Sequence, residues 1–507
     1  MKETVSKEPT RLAFASPRLG LAAGLVACAG IALYALWYSS VGQFPRFPNV
    51  ENAYIDLGES FLHGHLYLAE QPDPRLAELQ NPYDYQQRRN VLQHKDASYY
   101  QGRYYLYWGP IPALDFALIE GVTHLRPPGS LMVVMSYIGL SIILLLILFQ
   151  VWRRFFRAVP FFSLGLWIPM CLVNLPFLYL LGRPQIYETS IIAGQFFLFA
   201  GLFCWIMYTG SGLPAWLLMA GLSWGFAIGC RYNLIASVAV YTAFALIHIW
   251  KVAKWNAIWK RGIFLLVPLA LTGIGLGAYN FVRFGNLFET GFAYALTVPV
   301  PPQIFSLIYL PSNVYTYLFY APHTIGSFPF IKSVLFNPAL LPPWLGIPGG
   351  KTFDEVIFGI FAFVPSLWLI TLVIPFFALI RTPTGRRRSF FFAASERGAF
   401  VGMILFAAFM QFLVIMAYFY SAMRFVADFY LPVALGIAMI VWRLDEILQP
   451  RFWVRAAFWL LVFGLVLWTA GIGFFGAFDV PPQIFRTFNP ALYVHLAAYW
   501  NKVLGSN

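Results

Sequence analysis

Charge is scarce in this sequence. Asp, Glu, Lys and Arg make up 11% of its 507 residues, where an ordinary soluble domain carries about 25%. With 60% hydrophobic residues, that shortage argues against a soluble globular chain. It points to an all-α, integral-membrane, multi-pass bundle. Cysteine is scarce too. Cys28, Cys171, Cys204 and Cys230 all fall in or at the ends of apolar spans, and there is no CxxC pair. A disulfide framework and a structural zinc site therefore have no support. The seven histidines are scattered. His63 and His65 stand two apart, on different faces of any helix, and read as interfacial polar residues rather than a metal pair. No metal-ligand set is legible, though a divalent ion remains compatible with the chain. No repeat of span or loop length is visible, as a transporter built from paired halves would show. The start lacks a signal peptide's form: the first twelve residues are mixed, the apolar run is long, and no small-residue cleavage site follows.

Eleven apolar stretches are long enough to span a bilayer as helices. They cover about 19–40, 130–151, 160–181, 190–209, 213–229, 234–250, 262–281, 356–380, 398–418, 427–442 and 456–476. Pro169, Pro176, Pro268 and Pro365 fall inside them, which membrane bundles tolerate. Charge sets their direction. With the N-terminus inside, the cytoplasmic segments are 1–18, 152–159, 251–261, 381–397 and 443–455. These hold 19 of the 34 basic residues and 5 of the 21 acidic ones. Arg153, Arg154, Arg157 and the run Arg386, Arg387, Arg388 dominate this bias. The net charge of +13 is therefore a topology signal rather than a nucleic-acid footprint. The expected layout is N-terminus in and C-terminus out, with residues 43–129 and 280–355 outside. The whole chain reads as one transmembrane domain carrying these two outer segments.

The polar chemistry collects on the outer side. Residues 43–129 interrupt the first two spans. Tyr54, Leu57, Phe61 and Leu62 recur at helical spacing up to Gly64, which predicts a short helix lying apolar face down on the membrane. Asn49 is its expected N-cap, with Glu51 in its first turn. Asp56 follows in the same segment. The run from Asp96 through Tyr104, Tyr105 and Pro110 predicts a tight hairpin turning at Gln101-Gly102. A second surface helix is expected from Ile111 to Val122, and another over Leu310 to Tyr320. Arg183, Arg231, Arg283 and Arg424 sit at outer helix ends, against the positive-inside bias. A charge at membrane depth costs at least about 2.5–3.5 kcal/mol unless it pairs or lines a cavity. Shared anion binding accounts for several such arginines together. For Arg424 the competing explanation is a pair with Asp428, four residues along one helix face.

One carboxylate with several cations suits a particular chemistry. A sugar leaving a lipid phosphate needs no protonation of its leaving group. It needs a base for the acceptor hydroxyl and cations for the departing phosphate, whereas a glycosidase uses two carboxylates.

The layout resembles the GT-C superfamily of membrane glycosyltransferases, in particular the protein O-mannosyltransferases and the lipid A aminoarabinose transferases. Val50-Glu51-Asn52-Ala53-Tyr54 running to Gly64 is similar to their acidic first-loop motif and its surface helix. Tyr104-Tyr105-Leu106-Tyr107-Trp108-Gly109-Pro110 resembles their aromatic second loop helix. Asn280 to Gly285 and Arg424 to Asp428 resemble late segments of bacterial members. The departure is Val50, where the family places a first acidic residue.

The resemblance implies inverting hexosyl or pentosyl transfer from a polyprenyl-phosphate donor to a glycan, lipid or protein acceptor. It implies a bacterial inner or plasma membrane, an extracytoplasmic site and contact with membrane lipids. The catalytic carboxylate is then Glu51, with Asp56 as the alternative. Arg424, Arg283, Arg231 and Arg183 would hold the donor phosphate. Asp96, Tyr104, Tyr105, Glu188 and Asp428 would contact substrate. Two other readings stay open: a flippase or transporter of a lipid-linked substrate, and a polysaccharide polymerase or ligase.

Overall fold

A computed structural model describes residues 16–94, 96–253, 255–296, 303–320, 323–333, 335–351, 355–372 and 396–505. Arg386, Arg387, Arg388, residues 1–15 and residues 373–380 of the expected eighth span lie outside them.

The chain is an all-α multi-pass membrane bundle. Among the described residues, eight helices are long and apolar enough to cross a bilayer. They are α1 (Pro17–Ser39), α6 (Gly129–Phe155), α9 (Ile186–Ser211), α11 (Ile235–Ala253), α12 (Trp255–Phe284), α15 (Glu396–Met416), α16 (Val426–Leu448) and α17 (Phe452–Ala477). A bent pair, α7 (Phe162–Leu172) and α8 (Leu175–Gly182), makes a ninth span with a 57° break. The apolar α10 (Pro214–Cys230) has 17 residues.

The break between α7 and α8 has a local cause. Asn174 caps α8 by accepting from the Phe177 amide at 3.2 Å. Its Nδ2 donates to the carbonyls of Met170 at 3.1 Å and Cys171 at 2.9 Å. One side chain thus satisfies both helix ends where the ladder stops. α17 presses on this point: a Cβ on Gly473 would stand 2.8 Å from Asn174 Cα.

The expected span at 356–380 is not a continuous helix within its described part. It holds one turn, α14 (Ile360–Phe363), and then a 3-10 segment over Pro365–Leu372. Pro365 disfavours helical backbone at the residue before it, and Val364 has φ −129° and ψ 70°.

The first of the two segments expected outside folds around a core of its own, whereas Tyr317, Phe328 and Phe336 of the second join the main core. After α1 come α2 (Ala53–Leu62), the single turns α3 (Arg75–Glu78) and α4 (Tyr85–Arg88), the hairpin β1 (Ser98–Tyr100) and β2 (Arg103–Tyr105), and α5 (Ile111–Thr123). Tyr54, Leu57, Leu68, Leu76, Tyr104 and Phe116 form a separate apolar cluster there. Tyr54 and Leu57 on the apolar face of α2 therefore pack in this cluster, against α5, while Leu62 is exposed. Gly58 permits the contact, since a Cβ there would lie 2.9 Å from the Ala113 carbonyl oxygen. The helix begins later than expected. Its cap is Asn52, not Asn49, so Glu51 precedes the helix instead of lying in its first turn. Asn52 accepts from the Tyr54 amide at 3.1 Å and donates to the Pro184 carbonyl at 3.1 Å and Thr189 Oγ1 at 2.8 Å. Those long-range bonds decide the start.

The hairpin pairs Ser98 with Tyr105 and Tyr100 with Arg103. Gln101 and Gly102 both have positive φ, 48° and 74°, as a two-residue I′ turn requires. In the later outer segment α13 (Leu310–Phe319) forms as expected, beside the short pair β3 (His323–Thr324) and β4 (Ile331–Lys332). After α17, α18 (Ile484–Phe488) and α19 (Pro490–Val503) fold back onto the bundle. Asn489 donates to the Val41 carbonyl at 2.8 Å, and Trp500 packs on Phe474 and Phe475.

Almost every residue of α16 is buried, whereas α1, α12 and α17 present rows of exposed aliphatic and aromatic side chains. A bilayer accommodates such faces. At one end of the bundle, basic residues of the expected cytoplasmic segments pair with acidic ones: Arg154 with Glu396, Arg397 and Arg443 with Glu446, and Arg455 with Asp445. Arg183, Arg231, Arg283 and Arg424 all lie at the other end of their helices.

Candidate active site

The α8–α9 corner brings two arginines and two glutamates together. Arg183 follows α8 and Glu188 sits in the first turn of α9. Arg424 lies just before α16, and Glu355 stands ahead of α14. Arg424 pairs with Glu355 and lies 4.0 Å from Glu188. Arg183 is 3.7 Å from each glutamate. The Arg424 guanidinium lies over the Tyr187 ring, 4.1 Å from its centroid. The cluster is underbonded. Arg424 Nε and both Glu188 carboxylate oxygens are buried without hydrogen-bond partners. Burial pushes the Glu355 carboxyl up, but Arg424 and Arg183 outweigh it and hold it below the usual range.

This corner opens into a cavity of about 610 Å³. Arg183, Arg424 and Glu355 line one part of it, and Asp96 lines another. Asp96, at φ 63°, holds the turn before β1. Its Oδ1 accepts from the Tyr187 hydroxyl at 2.5 Å, and that hydroxyl lies 3.0 Å from the Tyr107 hydroxyl. Tyr107 is buried, and burial pushes its phenol well above the ordinary range. Tyr187 thus links the arginine side of the cavity to a carboxylate through one aromatic ring.

The other two arginines are bonded to groups of the chain itself. Arg231 makes a bidentate pair with Asp428, Nε to Oδ1 at 2.9 Å and Nη2 to Oδ2 at 2.7 Å, fully buried. Asn233 adds a donor to Asp428 Oδ2 at 2.9 Å. This replaces the pair expected between Arg424 and Asp428. Arg283 donates to the Leu106 carbonyl at 2.6 Å and to Asn280 Oδ1 at 2.8 Å, and covers the Tyr279 ring at 3.7 Å. It ties the end of α12 to the hairpin and does not line the cavity. Tyr104 and Tyr105 also turn away. Tyr104 lies in the first-loop core, and Tyr105 packs on Phe284.

The two expected catalytic carboxylates are elsewhere. Glu51 is exposed and does not line the cavity. Its neighbour Asn52 is bonded to the Pro184 carbonyl, so Glu51 stands beside the Arg183 loop. Asp56 pairs with Arg126 at 2.5 Å. Burial raises its carboxyl, and Arg126 works against that rise. Of the eleven expected site residues, Arg183, Arg424, Asp96 and Glu188 are the ones gathered at this corner. Sequence reasoning missed Glu355, Tyr107, Tyr187 and Trp108. The acidic pair Asp354-Glu355 at the start of an apolar run was the available signal for Glu355. Among the described residues, no three His, Cys, Asp or Glu side chains converge as a metal site.

No family model matches the chain, and neither does any curated protein. The solved structures similar to it include two of archaeal oligosaccharyltransferase. One is the Archaeoglobus fulgidus oligosaccharyltransferase in its apo form, with a TM-score of 0.49 and 11% identity. The other is the archaeal oligosaccharyltransferase AglB from Archaeoglobus fulgidus in complex with an inhibitory peptide and a dolichol-phosphate, with a TM-score of 0.43 and 13% identity. Each match covers 90% of this chain and 56% of the other, so the chain spans just over half their length.

Proposed function

We propose that this chain is a membrane glycosyltransferase of the GT-C type. It moves a sugar from a polyprenyl-phosphate carrier to the hydroxyl of a glycan, lipid or protein acceptor. The observation that carries this reading is one cavity lined by a buried arginine with a spare N–H, a second arginine beside it, and a separate carboxylate.

The residues divide the work. Arg424 and Arg183 take the carrier phosphate, and their charge stabilises it as the glycosidic C–O bond breaks. Glu355 pairs with Arg424 and exchanges that contact for the phosphate. Asp96 takes the proton of the acceptor hydroxyl as its oxygen attacks the anomeric carbon. Tyr187 and Tyr107 orient that carboxylate. A direct displacement of this kind inverts the anomeric carbon.

The test uses purified full-length protein in nanodiscs. Arg424→Ala is expected to weaken binding of a polyprenyl phosphate by about tenfold or more, since hydrogen bonds to charged groups contribute about 1.5–3 kcal/mol. Arg424→Lys should lose less. Asp96→Asn is expected to keep that binding and to lower transfer from a polyprenyl-phosphate sugar by about 10² to 10⁴. Glu51→Gln should retain turnover. The reverse outcome for the last two variants moves the base to the entrance of α2. A protein that binds no polyprenyl phosphate, or carries it across a membrane without transfer, sinks the reading.

A further inference from the structure

A second cavity, of about 250 Å³, adjoins the first. The two share Tyr107, Trp108, Phe292, Tyr418 and Phe425 as lining residues. The second one differs in chemistry. Aromatic side chains dominate its walls, and its polar groups are few. Arg231 belongs to it but is already committed to Asp428.

Three buried polar atoms of residues lining this cavity have no hydrogen-bond partner: Trp108 Nε1, a donor, Asn233 Oδ1, an acceptor, and the Tyr232 hydroxyl, which can be either. The orientation of Asn233 is set by its bond to Asp428: its nitrogen faces the carboxylate, so its oxygen is the free atom. A buried donor and a buried acceptor left unpaired are costly unless a ligand completes them. Phe425 marks the join between the cavities. The Arg231 guanidinium lies 5.1 Å from its ring centroid and that of Arg424 lies 5.2 Å away.

We propose that this second cavity seats the sugar ring of the donor, and that the donor carries a single ring rather than an oligosaccharide. The proposal rests on the lipid-phosphate reading above. Aromatic faces suit the C–H faces of a pyranose or furanose. The Trp108 donor, the Asn233 acceptor and the Tyr232 hydroxyl suit its hydroxyls. The arginine corner across Phe425 then takes the phosphate joined to that ring. The volume of about 250 Å³ is below the range of about 300–1,000 Å³ for drug-sized ligand sites and fits one ring better than several.

The experiment compares binding of decaprenyl phosphate with that of decaprenyl phosphates bearing one glucose, mannose or arabinose, and with a carrier bearing a heptasaccharide. The protein is full length and in nanodiscs. At least one single-sugar carrier should bind about tenfold more tightly than the bare carrier, as about 1.4 kcal/mol of added contact predicts. The heptasaccharide carrier should show no such gain. Two variants then probe the cavity. Trp108→Phe keeps a ring but removes the N–H, and Val414→Phe fills the space from α15. Each should collapse the ratio between glycosylated and bare carrier. A normal melting temperature verifies that each variant is folded, and Trp108→Phe still decides the matter if Val414→Phe is not. The proposal is overturned if no single-sugar carrier outbinds the bare one, if the heptasaccharide carrier gains as much, or if folded variants keep the ratio. Failure of decaprenyl phosphate itself to bind is a different result, since it removes the underlying function.

Discussion

An arginine buried in a membrane protein can serve a ligand or the fold, and its partners distinguish the two. Arg283 donates to main-chain carbonyls, and Arg231 spends its fork on Asp428. Of Arg231, Arg283 and Arg424, it is Arg424 that has a buried Nε without a hydrogen-bond partner beside a cavity. Removing half of a buried pair leaves an uncompensated charge and costs about 3–5 kcal/mol. Arg231→Ala should therefore lower the apparent melting temperature sharply. The double variant with Asp428→Ala should recover part of that loss, and additive losses would contradict the pairing. Asp115 on α5 gives a pH prediction. Burial raises its carboxyl to about 6 from 3.8. Between those values the unfolded chain releases the proton while the folded chain keeps it, so the folded state binds more protons. Stability must then fall as pH rises through about 4 to 6. Asp115→Asn should flatten the melting temperature across that interval. An unchanged slope would show that another group sets it.

At the scale of elements, close backbone approach does what sequence periodicity leaves open. α2 and α5 meet at Gly58, where an added Cβ would also lie 2.9 Å from Phe116 Cβ and 3.1 Å from the Ala117 amide nitrogen. Backbone cannot step aside as a flexible side chain can. Gly58→Ala should loosen the first-loop core and raise the rate of limited proteolysis within residues 65–94, leaving the membrane helices uncut. Equal cleavage of both proteins would show that the helices separate at little cost. Helical spacing predicted α2 correctly, yet its first residue depended on bonds from Asn52 to Pro184 and Thr189. Residues 356–372, the described part of the 356–380 stretch, do not form a regular span because hydropathy counts apolar residues and ignores how Pro365 restricts Val364.

At the scale of the molecule, the charge bias gives a testable orientation. Gln101 and Gln449 are exposed and belong to segments expected on opposite sides. All four native cysteines are buried, so single Gln101→Cys and Gln449→Cys variants can be labelled against a quiet background. A membrane-impermeant maleimide added to intact cells should label the first alone. Labelling of both from outside would overturn the N-in arrangement.

The sequence by itself determined what depends on composition and local pattern. Scarce charge and repeated apolar runs specify a membrane bundle, because bilayer and backbone leave few alternatives. Helical spacing and the Gln101-Gly102 turn specify the first-loop elements. Only the tertiary structure decided the partners. Asp428 lies four residues from Arg424 but bonds Arg231, 197 residues away. Glu355 reaches Arg424 from a segment 69 residues earlier, and Asp96 reaches the same cavity beside Tyr187. Such contacts join helix ends that are distant in the chain, and neither spacing nor hydropathy encodes which ends meet.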